Sequence, residues 1–405
     1  MRWFTCTPVA FSGGGGFFTR DSGLVCRGLQ LIGVESRAVM PGERQAEDQA
    51  DLIRTEFSNL ESADWWRSHE LDGVMLYAWG SPQYRKVAAA IREAGIFLLL
   101  NQDSGGLISP LAGVRDWLRE QWIHTGQGRG ALAWARCGMR VLRGVSVGLF
   151  LTDPRRAAHL RHGHVIACVS PKAAEYYRKV CRYYGGADLA SRVEVVPHAV
   201  ESRFRFGGEF KRRQVACVGR WQDALQKRPW LLIEVVRSLL AADAEVEVVI
   251  AGQVTVELGE WHRSLSKSGR NRVKLRGMVD RDELAKILEE SQVFYSSSAF
   301  ESFGIAAAEA LCSGCSVVAG RSVSMASFEW FVGDDSGTLA EVDDAAGHLL
   351  ALKQELAYWE QGRRDAGAIA GVWAERLHAE RVAAQIVSLH HAYAARRKGI
   401  LNFEF

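Results

Sequence analysis

Two carboxylates stand eight residues apart in the stretch Glu301-Ser-Phe-Gly-Ile-Ala-Ala-Ala-Glu309. A carboxylate accepts paired hydrogen bonds from vicinal hydroxyls, the groups that a pyranose or a ribose presents. The flanking pattern predicts a short strand over Val293 to Ser296 and a helix over Phe303 to Ser313, which leaves Glu301 on the loop between them. On that reading the amides of Ser302, Phe303 and Gly304 are the unpaired donors of a helix N-terminus, a favourable seat for a phosphate oxygen. Gly304 lets an anion approach the backbone closely. Eight residues of helix rise about 12 Å; with Glu301 ahead of the helix the separation is shorter, comparable to the inner half of a sugar diphosphate. Two glutamates flanking an ordinary amphipathic helix would share this spacing.

Cations lie upstream. A strand over Val215 to Val218 leads into Gly219-Arg220, and Lys227-Arg-Pro229 opens a helix over Trp230 to Leu240. Proline suits the first helical turn. Arg220 at a strand end and Lys227 at a helix start would share the crevice in which open parallel sheets bind ligands. A guanidinium fork and an ammonium point charge suit a diphosphate whose charge rises as its bond to carbon breaks. Solvated loop cations are the plain alternative. Near the amino terminus, Ser12-Gly-Gly-Gly-Gly16 follows the first strand, and its Gly14 and Gly15 would let a ligand approach the backbone. The run does not meet the dinucleotide spacing and lacks the lysine and hydroxyl of a phosphate-binding P-loop, so a structural turn stays open.

These residues need a scaffold, and the chain carries the rhythm of one. Strands are predicted at Arg2 to Ala10, Val34 to Val39, Gly73 to Tyr77, Ile96 to Asn101, Val165 to Val169 and Val193 to Val196. Helices at Arg20 to Leu31, Pro82 to Ala94 and Pro171 to Tyr184 separate them. The rhythm restarts at Val215 to Val218, Val246 to Ala251, Val273 to Leu275, Val293 to Ser296 and Ser316 to Ala319. Alternating strands and helices imply α/β domains with parallel sheets covered on both faces, and 405 residues suit two of them. Residues 197–209 read as the linker, and Arg363 to Lys398 as one long helical pattern that packs back.

Composition sets the class. Hydrophobic content of 48% and charged content of 24% are a globular balance, and a net charge of +3 gives no argument for nucleic acid. No apolar run approaches the roughly 20 residues of a spanning helix, and the apolar start, Met1 to Phe11, lacks the features of an export signal. Eight scattered cysteines fit reduced thiols in a cytosolic protein. Cys312-Ser-Gly-Cys315 has redox or zinc spacing but no companion pair, and a tight turn explains it as well. His159, His162 and His164 alternate on entering a strand and carry no metal proposal.

Taken in order, Val218-Gly-Arg220, Lys227, Ile250-Ala-Gly252, Gly277-Met-Val-Asp-Arg-Asp-Glu-Leu284 and Glu301-Ser-Phe-Gly304 through Glu309-Ala-Leu-Cys-Ser-Gly314 resemble the GT-B glycosyltransferases of retaining family 4, the glycosyl transferases group 1. Val195-Val-Pro-His-Ala-Val-Glu201 and Cys168-Val-Ser-Pro171 are similar to motifs preceding that region. The resemblance implies a GT-B fold, two Rossmann-like domains with parallel sheets facing across a cleft. Domains are expected at 1–200 on the acceptor side, with a basic insertion at 111–163, and at 201–380 for the nucleotide sugar; a helix at 381–405 would follow. It implies a retaining transfer of a sugar from a nucleotide-diphosphate donor to a hydroxyl of a glycan, lipid-linked or small-molecule acceptor, with no cofactor and no metal. Arg220 and Lys227 would hold the diphosphate with the amides of Phe303 and Gly304; Glu301 would meet the transferred sugar and Glu309 the ribose. Asp280-Arg-Asp282 imitates a metal-binding D-x-D but precedes a helix over Glu283 to Glu290, and Asp282 is expected to cap it.

The amino-terminal half departs from the family. A histidine commonly follows the strand equivalent to Ile96 to Leu100, whereas this chain has Asn101-Gln-Asp103, which leaves Asp103 as the candidate contact to sugar or acceptor. Ser324 to Gly337 lacks the family's acidic, glycine-rich turn. These departures keep two alternatives open, a catalytically silent GT-B subunit and another GT-B enzyme such as a sugar-nucleotide epimerase. Between Leu111 and Gly163, nine arginines face three acids and interleave with Trp117, Trp122 and Trp134 on helices over Leu111 to Ile123 and Ala131 to Leu142. That composition suits either a solvated face over packed tryptophans or peripheral contact with an anionic membrane at its cytoplasmic side.

Overall fold

The computed structural model describes residues 1–125, 130–208, 210–333 and 335–401. Arg129 of the basic segment, Glu209 of the predicted linker, Asp334 and the last four residues of the predicted terminal helix lie outside them. Two compact units result, one of residues 1–121, 129–201 and 377–405, the other of 122–128 and 202–376.

The first unit is built on seven strands, Arg2–Cys6 (β1), Glu35–Pro41 (β2), Leu52–Thr55 (β3), Gly73–Tyr77 (β4), Phe97–Gln102 (β5), Val165–Cys168 (β6) and Val193–Val195 (β7). All pair in parallel, in the order β3-β2-β1-β4-β5-β6-β7. Because side chains alternate along a strand, β5 sends Phe97 and Leu99 to one apolar cluster and Leu98 and Leu100 to another. That is why it reads as an unbroken apolar run. The first cluster is covered by helices Asp21–Leu31 and Ala379–Leu401, the second by Arg85–Glu93 and Pro171–Ser191.

The second unit holds six parallel strands, Arg212–Val218 (β8), Glu247–Ala251 (β9), Val273–Gly277 (β10), Ser291–Ser296 (β11), Ser316–Gly320 (β12) and Gly337–Ala340 (β13). Their order, β10-β9-β8-β11-β12-β13, reverses direction between β8 and β11, which makes the carboxyl ends of those two strands the switch point of an open sheet. Arg220 follows β8 and Glu301 follows β11, so the topology alone sets the predicted cations and carboxylate side by side.

Several predicted elements change. The first strand stops at Cys6, before the glycine run, and β3 and β13 were not anticipated because each is four residues long and only half buried. The terminal pattern is two helices, Ala366–Leu377 and Ala379–Leu401. Residues 197–201, read as linker, close the first unit: Val196 and Ala199 enter its core, and Val200 bridges to His378. His159 sits in a helix, Asp153–Leu160, rather than on the approach to a strand. The Cys312 and Cys315 side chains are buried and unbridged, with the Cys315 thiol donating to Leu288 O at 2.9 Å and Gly314 between them at φ 79°. Among the described residues no group of three His, Cys, Asp or Glu is placed to hold a metal ion, and no helix is long and apolar enough to cross a membrane.

The second unit also buries an ion pair. Arg364 Nε and Nη2 donate to Glu355 Oε1 and Oε2 at 2.6 and 2.9 Å, and both side chains are at most 2% exposed. Removing one partner strands the other charge away from water. Glu355→Ala is expected to destabilise this unit by about 3–5 kcal/mol, measured by urea unfolding, whereas truncating the exposed Glu341 partner of Arg321 should cost under about 1 kcal/mol.

Candidate functional site

The helix after β11 begins later than its sequence suggests. It spans Ile305–Cys312, with Gly304 as its N-cap at φ 87°. A side chain there would be strained, and its Cβ would lie 2.6 Å from the Phe328 ring, so glycine is required by backbone and packing together. The expected donors at Ser302 and Phe303 therefore precede the helix. Its first amides without an intrahelical partner belong to Gly304, Ile305 and Ala306. Phe303 is buried against Phe331, and the Ser302 carbonyl accepts from Ser327 Oγ at 3.1 Å.

Glu301 sits at the centre of this loop. Its carboxylate accepts from Lys227 Nζ, from Ser298 Oγ at 2.9 Å and from Gln226 Nε2 at 3.2 Å. Lys227 and Glu301 are each mostly buried, at 15% and 13% exposure. Gln226 also donates to Phe300 O at 3.0 Å and accepts from Arg220 Nη2 at 3.3 Å. Arg220 is thereby held beside the pair while its side chain stays 71% exposed. The structure thus brings three predicted residues, Arg220, Lys227 and Glu301, to one place, with Gln226 as the hinge among them. Glu309 is elsewhere on the helix, buried, and accepts from Arg281 Nη2 at 2.8 Å. The helix Arg281–Glu290 is capped by Asp280, whose Oδ1 accepts from Glu283 N at 2.8 Å. Asp282, the expected cap, lies in the first turn and pairs with Arg203 instead.

Sequence reasoning passed over the residue that fixes the loops. Arg228 adopts the left-handed conformation at φ 47° and caps the helix Pro229–Ala242. Its buried guanidinium donates to Ser297 O at 2.6 Å, to Ser298 O at 3.0 Å and to both carboxylate oxygens of Asp343 at 2.8 and 2.9 Å. Asp343 also accepts from His348 Nε2, whose Nδ1 bonds Tyr295 OH at 2.9 Å. Burial would raise the Asp343 pKa, but the hydrogen bonds and charges of His348 and Arg228 hold it down to about 2. The Lys227-Arg-Pro229 run marked this site, yet the partner at Asp343 is 115 residues away from Arg228 and no local pattern points to it.

In the first unit, Gly13 has a packing reason, since a Cβ would meet the Asp48 carboxylate at 2.1 Å. Gly14 and Gly15 lie in the turn before Phe17–Thr19, where a Cβ would make ordinary contacts, with Glu47 O at 3.7 Å and with Gln49 Nε2 at 3.6 Å. Asp103, one residue past β5, pairs through Oδ1 with His198 Nε2 at 3.1 Å. The segment after β7 thus places a histidine beside the residue that follows β5. His198 is buried, and its Nδ1 lies 3.2 Å from Tyr77 OH. Burial lowers its pKa, but the Asp103 carboxylate, with Asp21, outweighs that and raises it above the ordinary value.

The comparisons with known proteins agree with this architecture. Residues 212–356 match the family model described as Glycosyl transferases group 1. The structure aligns with Anabaena HepE in complex with UDP and glucose at a TM-score of 0.59 and 14% identity, covering 96% of this chain and 99% of that one. The chain has the GT-B fold. It is also similar to the lipopolysaccharide outer core galactosyltransferase WaaB (TM-score 0.62, 12% identity, 98% and 100% coverage). A putative UDP-N-acetylglucosamine 2-epimerase from Listeria monocytogenes aligns as well (TM-score 0.58, 12% identity, 98% and 97% coverage). No curated protein sequence matches the chain significantly.

Two outcomes check the electrostatics. Asp343→Asn should cost about 2–4 kcal/mol at neutral pH. Because the folded pKa of Asp343 is depressed, its contribution is full above the unfolded value near 4 and fades as pH falls towards about 2. The stability gap between variant and wild type, from chemical denaturation, should therefore narrow by roughly 2 kcal/mol across that interval. For His198 the sign is opposite: its pairing stabilises below the unfolded value near 6.5 and is lost as pH rises through the raised folded value. NMR titration should find His198 above its ordinary pKa in the wild type and lower in Asp103→Asn, where the largest raising influence is removed and Asp21 remains.

Proposed function

We propose that this protein is a nucleotide-sugar-dependent glycosyltransferase that transfers a sugar to a hydroxyl acceptor with retention of configuration. The observation that carries the reading is the Lys227–Glu301 pair with Arg220 held exposed beside it, at the sheet's switch point and within the segment that matches the glycosyltransferase model. Arg220 and Lys227 take the donor diphosphate. Their charges stabilise the leaving group as the bond to the anomeric carbon breaks, the stage at which its negative charge grows. Glu301 accepts hydrogen bonds from hydroxyls of the transferred sugar, and the helix-start amides at Gly304 and Ile305 receive a phosphate oxygen. Glu309 meets the ribose hydroxyls while sharing its carboxylate with Arg281.

In a retaining transfer the acceptor hydroxyl attacks from the face on which the diphosphate departs, and a departing phosphate oxygen can take the proton. No separate base is then required. We assign the acceptor side to the first domain, where Asp103 is oriented by His198, and the donor side to the second. HepE, similar in fold, is described in complex with UDP and glucose, which supports a uridine nucleotide as the first donor to try.

The test is to incubate the full chain with a panel of nucleotide sugars, following binding by calorimetry and donor hydrolysis or transfer by chromatography. Arg220→Ala and Glu301→Ala are each expected to lower kcat/KM by about 100-fold or more, and activity should persist in a metal chelator. Binding without turnover across a broad acceptor panel would favour the silent subunit, and C2 inversion of the free nucleotide sugar the epimerase. Absence of nucleotide binding would overturn all three.

A further inference from the structure

Backbone strain in this chain gathers at strand ends. Among the described residues, four that are not glycine have positive φ, namely Asp21, Glu70, Trp79 and Arg228. Arg228 stands by the second sheet's switch point, and two of the other three frame the corresponding point of the first. In the order β3-β2-β1-β4-β5-β6-β7 the chain reverses direction between β1 and β4, so the carboxyl ends of those strands bound a crevice of the kind in which open sheets take ligands. Asp21, at φ 49°, opens the helix Asp21–Leu31 that follows β1, and Trp79, at φ 50°, stands two residues past β4. For a residue as bulky as tryptophan that conformation is an outlier, and it persists only where the surroundings hold it.

The surroundings of Trp79 are specific. Ser81 N donates to Ala78 O at 2.8 Å and closes a turn, and Gly80, at φ 64°, runs so close to the end of β5 that a Cβ would meet Gln102 Oε1 at 2.3 Å and Tyr177 OH at 3.1 Å. Tyr177 OH also bonds Ser104 Oγ at 3.1 Å. The turn is thus pinned against the segment that carries Asp103. Its indole is not absorbed by this packing: the residue is 37% exposed and has no ring, cation or hydrogen-bond partner among the described residues. Polar groups gather at the same strand ends. Asp21 and Asp103 are partly exposed, and both carboxylates act on Tyr77, where burial and then these charges raise the pKa, and on His198, where they outweigh burial. Asn101, opposite Tyr77 in the sheet, is fully buried, and among the described residues neither its amide oxygen nor its amide nitrogen has a hydrogen-bond partner. An amide left unpaired in this way carries a cost that a ligand's hydroxyl can relieve.

We infer that Trp79 is the platform of an acceptor subsite for a pyranose ring, with Asp21 and Asp103 accepting hydrogen bonds from that ring's hydroxyls and the Asn101 amide completing the polar set. One face of a pyranose presents axial C–H bonds, whose partial positive charge suits the negative face of an indole. Its edge presents hydroxyls, which suit carboxylates and an amide. The two carboxylates disfavour a phosphorylated or carboxylated ring, and a flexible alcohol offers no rigid C–H face. This assignment rests on the transferase reading above and narrows its acceptor to neutral saccharides.

Titration of the full chain with the methyl glycosides of glucose, galactose, mannose and N-acetylglucosamine, and with the open-chain polyol sorbitol, tests it by saturation-transfer NMR. At least one pyranoside should bind the wild type, and sorbitol should bind about tenfold more weakly or not at all. Trp79→Phe should hold the pyranoside affinity within about threefold, whereas Trp79→Leu, apolar and equally strained but without an aromatic face, should lower it by about tenfold or more. Asp21→Asn, a residue that tolerates left-handed backbone, should weaken binding by about threefold or more. No pyranoside binding to the wild type, equal binding by the Phe and Leu variants, or sorbitol binding as tightly as the pyranosides would overturn the inference. So would displacement of the glycoside by an intact nucleotide sugar but not by UDP, which would put the donor's own sugar at Trp79. The glycoside titrations need no nucleotide, so a failure to bind any nucleotide sugar is read separately and counts against the transferase reading instead.

Discussion

The loop geometry around Lys227 and Glu301 depends on one buried guanidinium. Arg228 joins three stretches far apart in sequence: its own helix start, the chain leaving β11 at Ser297 and Ser298, and Asp343 beyond β13. Carbonyl oxygens at a strand end are orphan acceptors, and a planar fork satisfies two of them while a carboxylate neutralises its charge. Shortening the fork to an ammonium would leave at least one carbonyl and part of the carboxylate unpaired in a buried place, with the desolvation cost that follows. The left-handed backbone at Arg228 directs the guanidinium inward, so the residue beside it, Lys227, emerges towards Glu301. The strain of a non-glycine residue in that conformation, about 1–3 kcal/mol, is offset by the bonds it makes possible.

That clamp explains how charged groups can sit close together without a ligand. Lys227 with Glu301 and Arg281 with Glu309 are each mutually neutralised, and Gln226 spans the gap to Arg220 with its amide oxygen on one side and its amide nitrogen on the other. Only the arginine at the strand end remains largely in solvent. The ordering cost of these side chains is met by folding, so the cations are held in fixed orientations by their partners.

Most of the fold was legible because burial writes itself into parallel strands. Gly73 to Tyr77 was located to the residue, and the other long strands to within a few positions, because strands covered on both faces must be apolar at every position. β3 and β13 were not, since an edge strand four residues long carries too little pattern. The site divides in the same way. That Arg220, Lys227 and Glu301 come together was readable from type and order, since all three belong to strand ends and helix starts at one switch point. Arg228 with Asp343, and Asp103 with His198, were not, because each pair is made by three-dimensional proximity between segments with no shared periodicity. The N-cap at Gly304 was misplaced for a related reason: Phe303 looks like a helix residue until its ring is seen packed against Phe331.

The Asp103–His198 pair also bears on how the first domain differs from the family it resembles. A histidine placed directly after β5 would offer an imidazole to the ligand. Here the imidazole is buried and the carboxylate, partly exposed, takes its place at the surface. The exchange converts a group that can donate or accept into one that only accepts while ionised. His198, raised in pKa by that carboxylate and backed by Tyr77, favours the ionised form in return. What this domain presents there is a partly exposed carboxylate whose orientation is fixed by a buried histidine.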